Sequence, residues 1–175
     1  MAVPLLAAEA LGVWQLLADV RARHPEARWL EPAKLHLTLV FLGATDPGEI
    51  DRLGAAVADV ADRWRAFEAA TGEAGGYLGT RRGGVAWLTL RQGRAQLSRL
   101  SRELDAAMAA GAYARHRPRP HLTLARRVDA KLLAELQATP PPEIRFPVDR
   151  VQLMRSHTGP GGSRYEELAT FLLSG

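Results

Sequence analysis

No cysteine occurs among the 175 residues. That one absence removes a disulfide framework, a thiolate zinc site and a thiol nucleophile. Lysine is almost as scarce, with Lys34 and Lys131 the only two. Neither stands in a setting such as Lys-x-Asp-Gly, so joining chemistry through a nucleotidyl-lysine has no residue to run on. No stretch approaches the roughly 20 uninterrupted apolar residues of a membrane span. The apolar opening Met1–Ala8 lacks a basic flank and is interrupted by Glu9, so it is not read as a signal peptide. The expected compartment is therefore the cytoplasm. What the chain does have is arginine, which supplies most of its 23 basic residues against 19 acidic ones and leaves a net charge of +4. Such a balance suits an anionic partner without demanding one. The length predicts a single domain over 1–175, able to bury roughly 70% of its unfolded surface without covalent staples. A monomer is the default expectation.

Breakers divide the chain into short elements. Leu11, Trp14, Leu17 and Val20 recur at helical spacing and predict a helix over 7–23, ended by His24-Pro25. Residues 35–42 read as a strand closed by Gly43. Asp46-Pro47-Gly48-Glu49 reads as a helix start, with Asp46 as N-cap and Pro47 in the first turn. The stripe Ile50, Leu53, Val57, Val60, Trp64 and Phe67 carries that helix as far as Phe67. The glycine-rich stretch 71–84, with Arg81-Arg82, reads as a loop. Val85–Leu90 predicts a strand, and Leu97, Leu100, Leu104 and Met108 a helix ending near Gly111. Asp129 is placed as the cap of a short helix holding Leu132, Leu133 and Leu136, stopped by Pro140–Pro142. The tail reads as two strands, 148–154 and 165–173, about a Gly159-Pro160-Gly161-Gly162 turn. The alternation of helices with short strands, none with the long apolar run of a parallel sheet, predicts an α+β fold with antiparallel or mixed sheets.

One pattern carries chemistry. His36-Leu37-Thr38-Leu39 and His121-Leu122-Thr123-Leu124 are the same tetrapeptide, 85 residues apart. Alternate side chains of a strand share a face. Each copy therefore offers an imidazole and a hydroxyl to one side and anchors two leucines on the other. Two imidazoles can stand as one neutral and one protonated near neutrality, which is what concerted general base and general acid catalysis requires. The hydroxyls can hold non-bridging phosphate oxygens, so the set suits cleavage of a phosphodiester. A hydrolytic metal site would add a carboxylate or third histidine beside the first two, and neither motif contains one. No metal and no cofactor are expected. His24 and His116 sit beside Arg and Pro and read as surface residues; Tyr165 reads first as an ordinary strand residue, with a cleft edge as the alternative for it and for His157.

With these residues in view, the chain resembles the two-histidine phosphoesterases, and within them the RNA 2′,3′-cyclic phosphodiesterases historically called 2′-5′ RNA ligases. The likeness covers Arg28-Trp29 and Lys34 through Gly43, then Arg117 through Arg126, then Val148-Asp149-Arg150-Val151 and Gly159 through Glu166. It implies a bilobed, pseudo-twofold α+β fold with the two His-x-Thr strands meeting across a basic cleft, and a strand over 67–71. It also implies roles: His36 as general acid, His121 as general base, Thr38 and Thr123 on phosphate oxygens, and Arg126 binding phosphate. The implied substrate is RNA ending in a 2′,3′-cyclic phosphate, or a related nucleotide, opened to a 2′-phosphomonoester. Reversible 2′-5′ joining at the same site, hydrolysis of a small cyclic nucleotide, and non-catalytic binding of RNA ends are the alternatives. The opening Met1-Ala2-Val3-Pro4-Leu5 resembles a shortened version of the strand with which such proteins usually begin.

Overall fold

The computed structural model describes residues 1–79, 83–108, 118–141, 143–159 and 162–174. The strands are β1 (Ala2–Pro4), β2 (Arg28–Trp29), β3 (His36–Thr38), β4 (Phe67–Tyr77), β5 (Gly84–Gln92), β6 (Leu122–Val128), β7 (Arg145–Val148), β8 (Arg150–Gly159) and β9 (Gly162–Leu172). They form one antiparallel sheet in the order β7-β4-β5-β6-β3-β1-β8-β9, with β2 added to β6 beyond the end of β3. The α-helices among the described residues are α1 (Ala7–Leu16), α2 (Ala18–Arg23), α3 (Ile50–Ala61), α4 (Arg94–Ala107) and α5 (Ala130–Ala138). None of them is long and apolar enough to cross a membrane.

The sheet order has an approximate twofold about its centre. The two motif strands β3 and β6 are the middle pair, and their leucines Leu37 and Leu122 face each other in register. Both leucines are fully buried. Helix α3 packs on β8 and β9 and against α4, on the β3 half, whereas α5 packs on β4 and against α2, on the β6 half. Ser101 of α4 fixes the exit of β3, its hydroxyl donating to the Leu39 carbonyl at 2.7 Å in the core.

Several expected boundaries move. The first helix breaks at Leu17 into α1 and α2. β3 is three residues long instead of spanning 35–42. Asp46 does cap, accepting from the Gly48 amide at 2.9 Å, but Pro47–Glu49 is a 3-10 turn that feeds α3. The helix stops at Ala61, and Phe67 opens β4, as the family resemblance implied. The apolar stripe misled because Trp64 and Phe67 still pack together, 6.1 Å between ring centroids, without being helical. The largest correction is 71–77, which is strand and not loop. Its glycines are there for space: a Cβ on Gly75 would lie 2.7 Å from the indole nitrogen of Trp87 on β5. Asp129 caps α5 as expected, accepting from the Leu132 amide at 2.8 Å. The expected helix end near Gly111, together with Arg81-Arg82 and His116, lies outside the described residues.

Candidate active site

The central register brings the two motifs side by side. With Leu37 opposite Leu122, the antiparallel geometry sets His36 across from Thr123 and Thr38 across from His121. The leucines of this pair are buried on one face, so the two imidazoles and two hydroxyls share the other. All four of these side chains are half-buried.

Each imidazole is oriented in the same way. The His36 Nδ1–H donates to the Lys34 carbonyl at 2.8 Å, and the His121 Nδ1–H donates to the Arg119 carbonyl at 2.7 Å. A carbonyl can only accept, so Nδ1 carries the proton in both rings. Nε2 is then the free nitrogen of each, a base when neutral and an acid when protonated. Neither Nε2 has a protein partner among the described residues. Burial pushes the His36 imidazole below its ordinary value of 6.5, aided by the positive charges of the chain's N-terminus, His121 and Arg126, and opposed by the hydrogen bond to Lys34.

Arg126 joins this face through an irregularity. Five residues separate it from His121, an odd number that would place the two on opposite sides of a regular strand. Between the pairs Trp87–Thr123 and Ala86–Ala125, however, β6 uses one extra residue, Leu124. This bulge turns Arg126 to the side of Thr123. Arg126 lines a cleft of about 930 Å³ with His36, Thr38, Phe41, Arg155 and Tyr165. The cleft extends along the β3 half, and His121 and Thr123 stand outside its walls.

Aromatic rings back both histidines. Tyr165 of β9 meets His36 edge-on at 4.7 Å, and Trp87 of β5 lies 5.3 Å from His121. Tyr165, a residue of β9, also lines the cleft, whereas Trp87 carries no local sequence signal and is found only through its register opposite Thr123. His157 is not in the cleft wall, which its strand neighbours Ser156 and Thr158 line, and its Nε2 lies 2.8 Å from Glu166. His24, expected at the surface, is 2% exposed and bonded to Glu135 at 2.8 Å. Among the described residues no three His, Asp or Glu side chains gather into a metal-sized group.

The family model for the 2′-5′ RNA ligase superfamily matches residues 8–160. An RNA 2′,3′-cyclic phosphodiesterase of Bacillus subtilis is 30% identical over 84% of this chain and 81% of its own. Another, from Geobacillus stearothermophilus, is 27% identical over the whole of this chain, which spans 57% of that protein's length. Among solved structures, E. coli LigT complexed with 3′-AMP superposes with a TM-score of 0.76 and 29% identity, over 99% of this chain and 95% of that one. The same protein has been solved with NADP+, ATP and phosphate. The sheet and its two facing His-x-Thr strands are those of a two-histidine phosphoesterase. Within that class, the chain belongs to the 2′-5′ RNA ligase superfamily.

Proposed function

We propose that residues 1–175 act as one metal-independent catalytic domain, a cytoplasmic monomer that opens the 2′,3′-cyclic phosphate at an RNA end to a 2′-phosphomonoester. The observation that carries this reading is the pair of imidazoles on one face, each with Nδ1 committed to a carbonyl two residues back and Nε2 free. The names of the relatives support the substrate class.

The cyclic phosphate sits between the two Nε2 atoms. The His121 Nε2 takes a proton from water, the new P–O bond forms, the P–O3′ bond breaks, and the His36 Nε2 gives its proton to O3′. The roles follow the cleft. The departing oxygen belongs to the ribose, so the nucleoside must lie beside the acid, and the large volume lies beside His36. Thr38, Thr123 and Arg126 hold the non-bridging oxygens, where negative charge grows in the transition state. A bound phosphate anion favours protonated His36 and offsets the effect of burial. For an acid that must be protonated, rate falls as pH rises through its pKa. The alkaline limb of kcat, set in the complex, is therefore expected above that of kcat/KM, set in the free protein.

The test is turnover of a cyclic-phosphate-ended oligonucleotide in EDTA. Wild type is expected to be active, with His36→Ala and His121→Ala each losing roughly 10²- to 10⁴-fold. Full activity in either variant, or loss of wild-type activity on chelation, overturns the mechanism. The nucleotide complexes of LigT favour a second reading, a small cyclic nucleotide as substrate. Comparing kcat/KM for oligomers with that for 2′,3′-cyclic mononucleotides separates the two.

A further inference from the structure

One group of side chains on the catalytic face takes no part in the proposed hydrolysis. Trp87 is the partner of Thr123 in the β5–β6 register and so stands on the catalytic face, beside His121 and away from the cleft that holds His36. Tyr77, at the end of β4, lies 6.3 Å from Trp87 and is 55% exposed. Gly75 is paired with Trp87 across β4–β5 and lacks the Cβ that would collide with the indole. The ring is thereby accommodated over the backbone, continuous with Tyr77. Neither the Trp87 indole N–H nor the Tyr77 hydroxyl has a hydrogen-bond partner among the described residues. His121 does not need Trp87 for its orientation, because the Arg119 carbonyl already holds its Nδ1.

From this placement we infer that Trp87 and Tyr77 form a second nucleoside platform, which stacks the base next to an attacking 5′-hydroxyl of RNA. The inference rests on the assignment of His121 as base. Whatever nucleophile His121 activates must approach phosphorus from its side, opposite the O3′ that leaves toward His36. Water needs no platform there. A ribose 5′-hydroxyl brings a base with it, and an aromatic face beside the general base is the surface such a base stacks on. The step balances: the 5′-hydroxyl proton passes to the His121 Nε2, the O5′–P bond forms, the P–O3′ bond breaks, and O3′ takes the His36 proton. The product is a 2′-5′ diester, and no nucleotide cofactor is consumed. The platform thus sets the partition of one cyclic phosphate between water and a second RNA end.

The experiment follows both products from a cyclic-phosphate-ended oligoribonucleotide mixed with excess 5′-hydroxyl oligoribonucleotide. Wild type is expected to give joined as well as hydrolysed product. Trp87→Ala and Tyr77→Ala are each expected to cut the joined-to-hydrolysed ratio about tenfold, with hydrolysis within about threefold of wild type. Trp87→Phe keeps a stacking face and should keep the ratio within about threefold. In a second arm, a 5′-hydroxyl dinucleotide without a cyclic phosphate is titrated while tryptophan fluorescence is read. Quenching is expected in wild type and should disappear in Trp87→Phe, which retains the other three tryptophans. Parallel loss of both reactions, an unchanged ratio, equal quenching in Trp87→Phe, or absence of joining by wild type overturns the platform. Its failure differs from failure of the hydrolytic reading, which shows instead as hydrolysis surviving in His121→Ala.

Discussion

The two central strands carry the same four residues, yet the halves of the sheet around them are unlike. His36 stands in the wall of the cleft of about 930 Å³, next to Tyr165, with burial holding its imidazole below 6.5. His121 stands outside that cleft, against an indole that continues into an exposed phenol ring. The local geometry of the motif is symmetric, down to the Nδ1–H bond to the carbonyl two residues back. The surroundings of the two motifs make them unlike. In the mechanism proposed above, a duplicated motif supplies two chemically alike acid–base groups, and the surrounding halves decide which side receives the nucleoside and which the nucleophile.

The largest expected effect attacks that division of labour directly. If His36 serves the leaving oxygen, a leaving group that needs no proton makes it dispensable. With an aryl phosphodiester such as a 4-nitrophenyl ester, His36→Ala is expected to recover most of its 10²- to 10⁴-fold loss, whereas His121→Ala is not. Relative kcat/KM for the aryl and ribose substrates reads this. Recovery in His121→Ala alone would exchange the two roles, and recovery in both would make the halves equivalent.

Arg126 is the next lever, since it belongs to β6 yet lines the cleft of His36. Arg126→Ala is expected to lower kcat/KM by roughly 10- to 100-fold, because the charge it opposes is largest in the transition state. Its positive charge also disfavours protonated His36. Removing it should therefore raise the His36 pKa and move the alkaline limb of kcat/KM to higher pH. An NMR titration of the His36 ring checks the direction. A downward move would show that Arg126 acts on His36 by some route other than charge.

How far the sequence reveals this site depends on the range over which each feature is encoded. His36, Thr38, His121 and Thr123 were legible because strand alternation is local, and the leucine positions mark which face is core. The place of Arg126 was legible only through family resemblance. Counting residues puts it on the wrong side, and the bulge at Leu124 that corrects the count appears only in the pairing of β6 with β5. Residues 71–77 were misread for a related reason. Glycine is a breaker by local statistics, but here Trp87 occupies the space of the absent Cβ at Gly75. His24 looks exposed beside Arg23 and Pro25, and its burial depends on Glu135, 111 residues away. The two strands nearest the chemistry are thus the most predictable part of the chain, and the features that make the halves differ are the least.

The smallest expected effect concerns how the halves are held together. On the His36 side, α3 and α4 bring together buried leucines, and the Trp64 indole donates to Glu103. The Glu103 carboxylate is held below its ordinary value, first by that hydrogen bond, so it stays ionised through the neutral range. On the His121 side, α2 meets α5 through buried His24, bonded to Glu135 at one nitrogen and 3.2 Å from Glu26 at the other. The hydrogen bond to Glu135 is the chief cause that raises the His24 pKa above 6.5, against desolvation. A raised histidine pKa stabilises the fold fully below the unfolded value and is lost as pH rises through the folded one. His24→Ala should therefore destabilise by roughly 1–3 kcal/mol below pH 6, through a lost buried hydrogen-bonding group, and by less above its raised pKa. Denaturant unfolding of wild type and His24→Ala at both pH values measures this. A difference between the two proteins that does not change with pH would mean that His24 serves α2 and α5 by packing alone, and the neutral-range pH sensitivity assigned to this half would be gone.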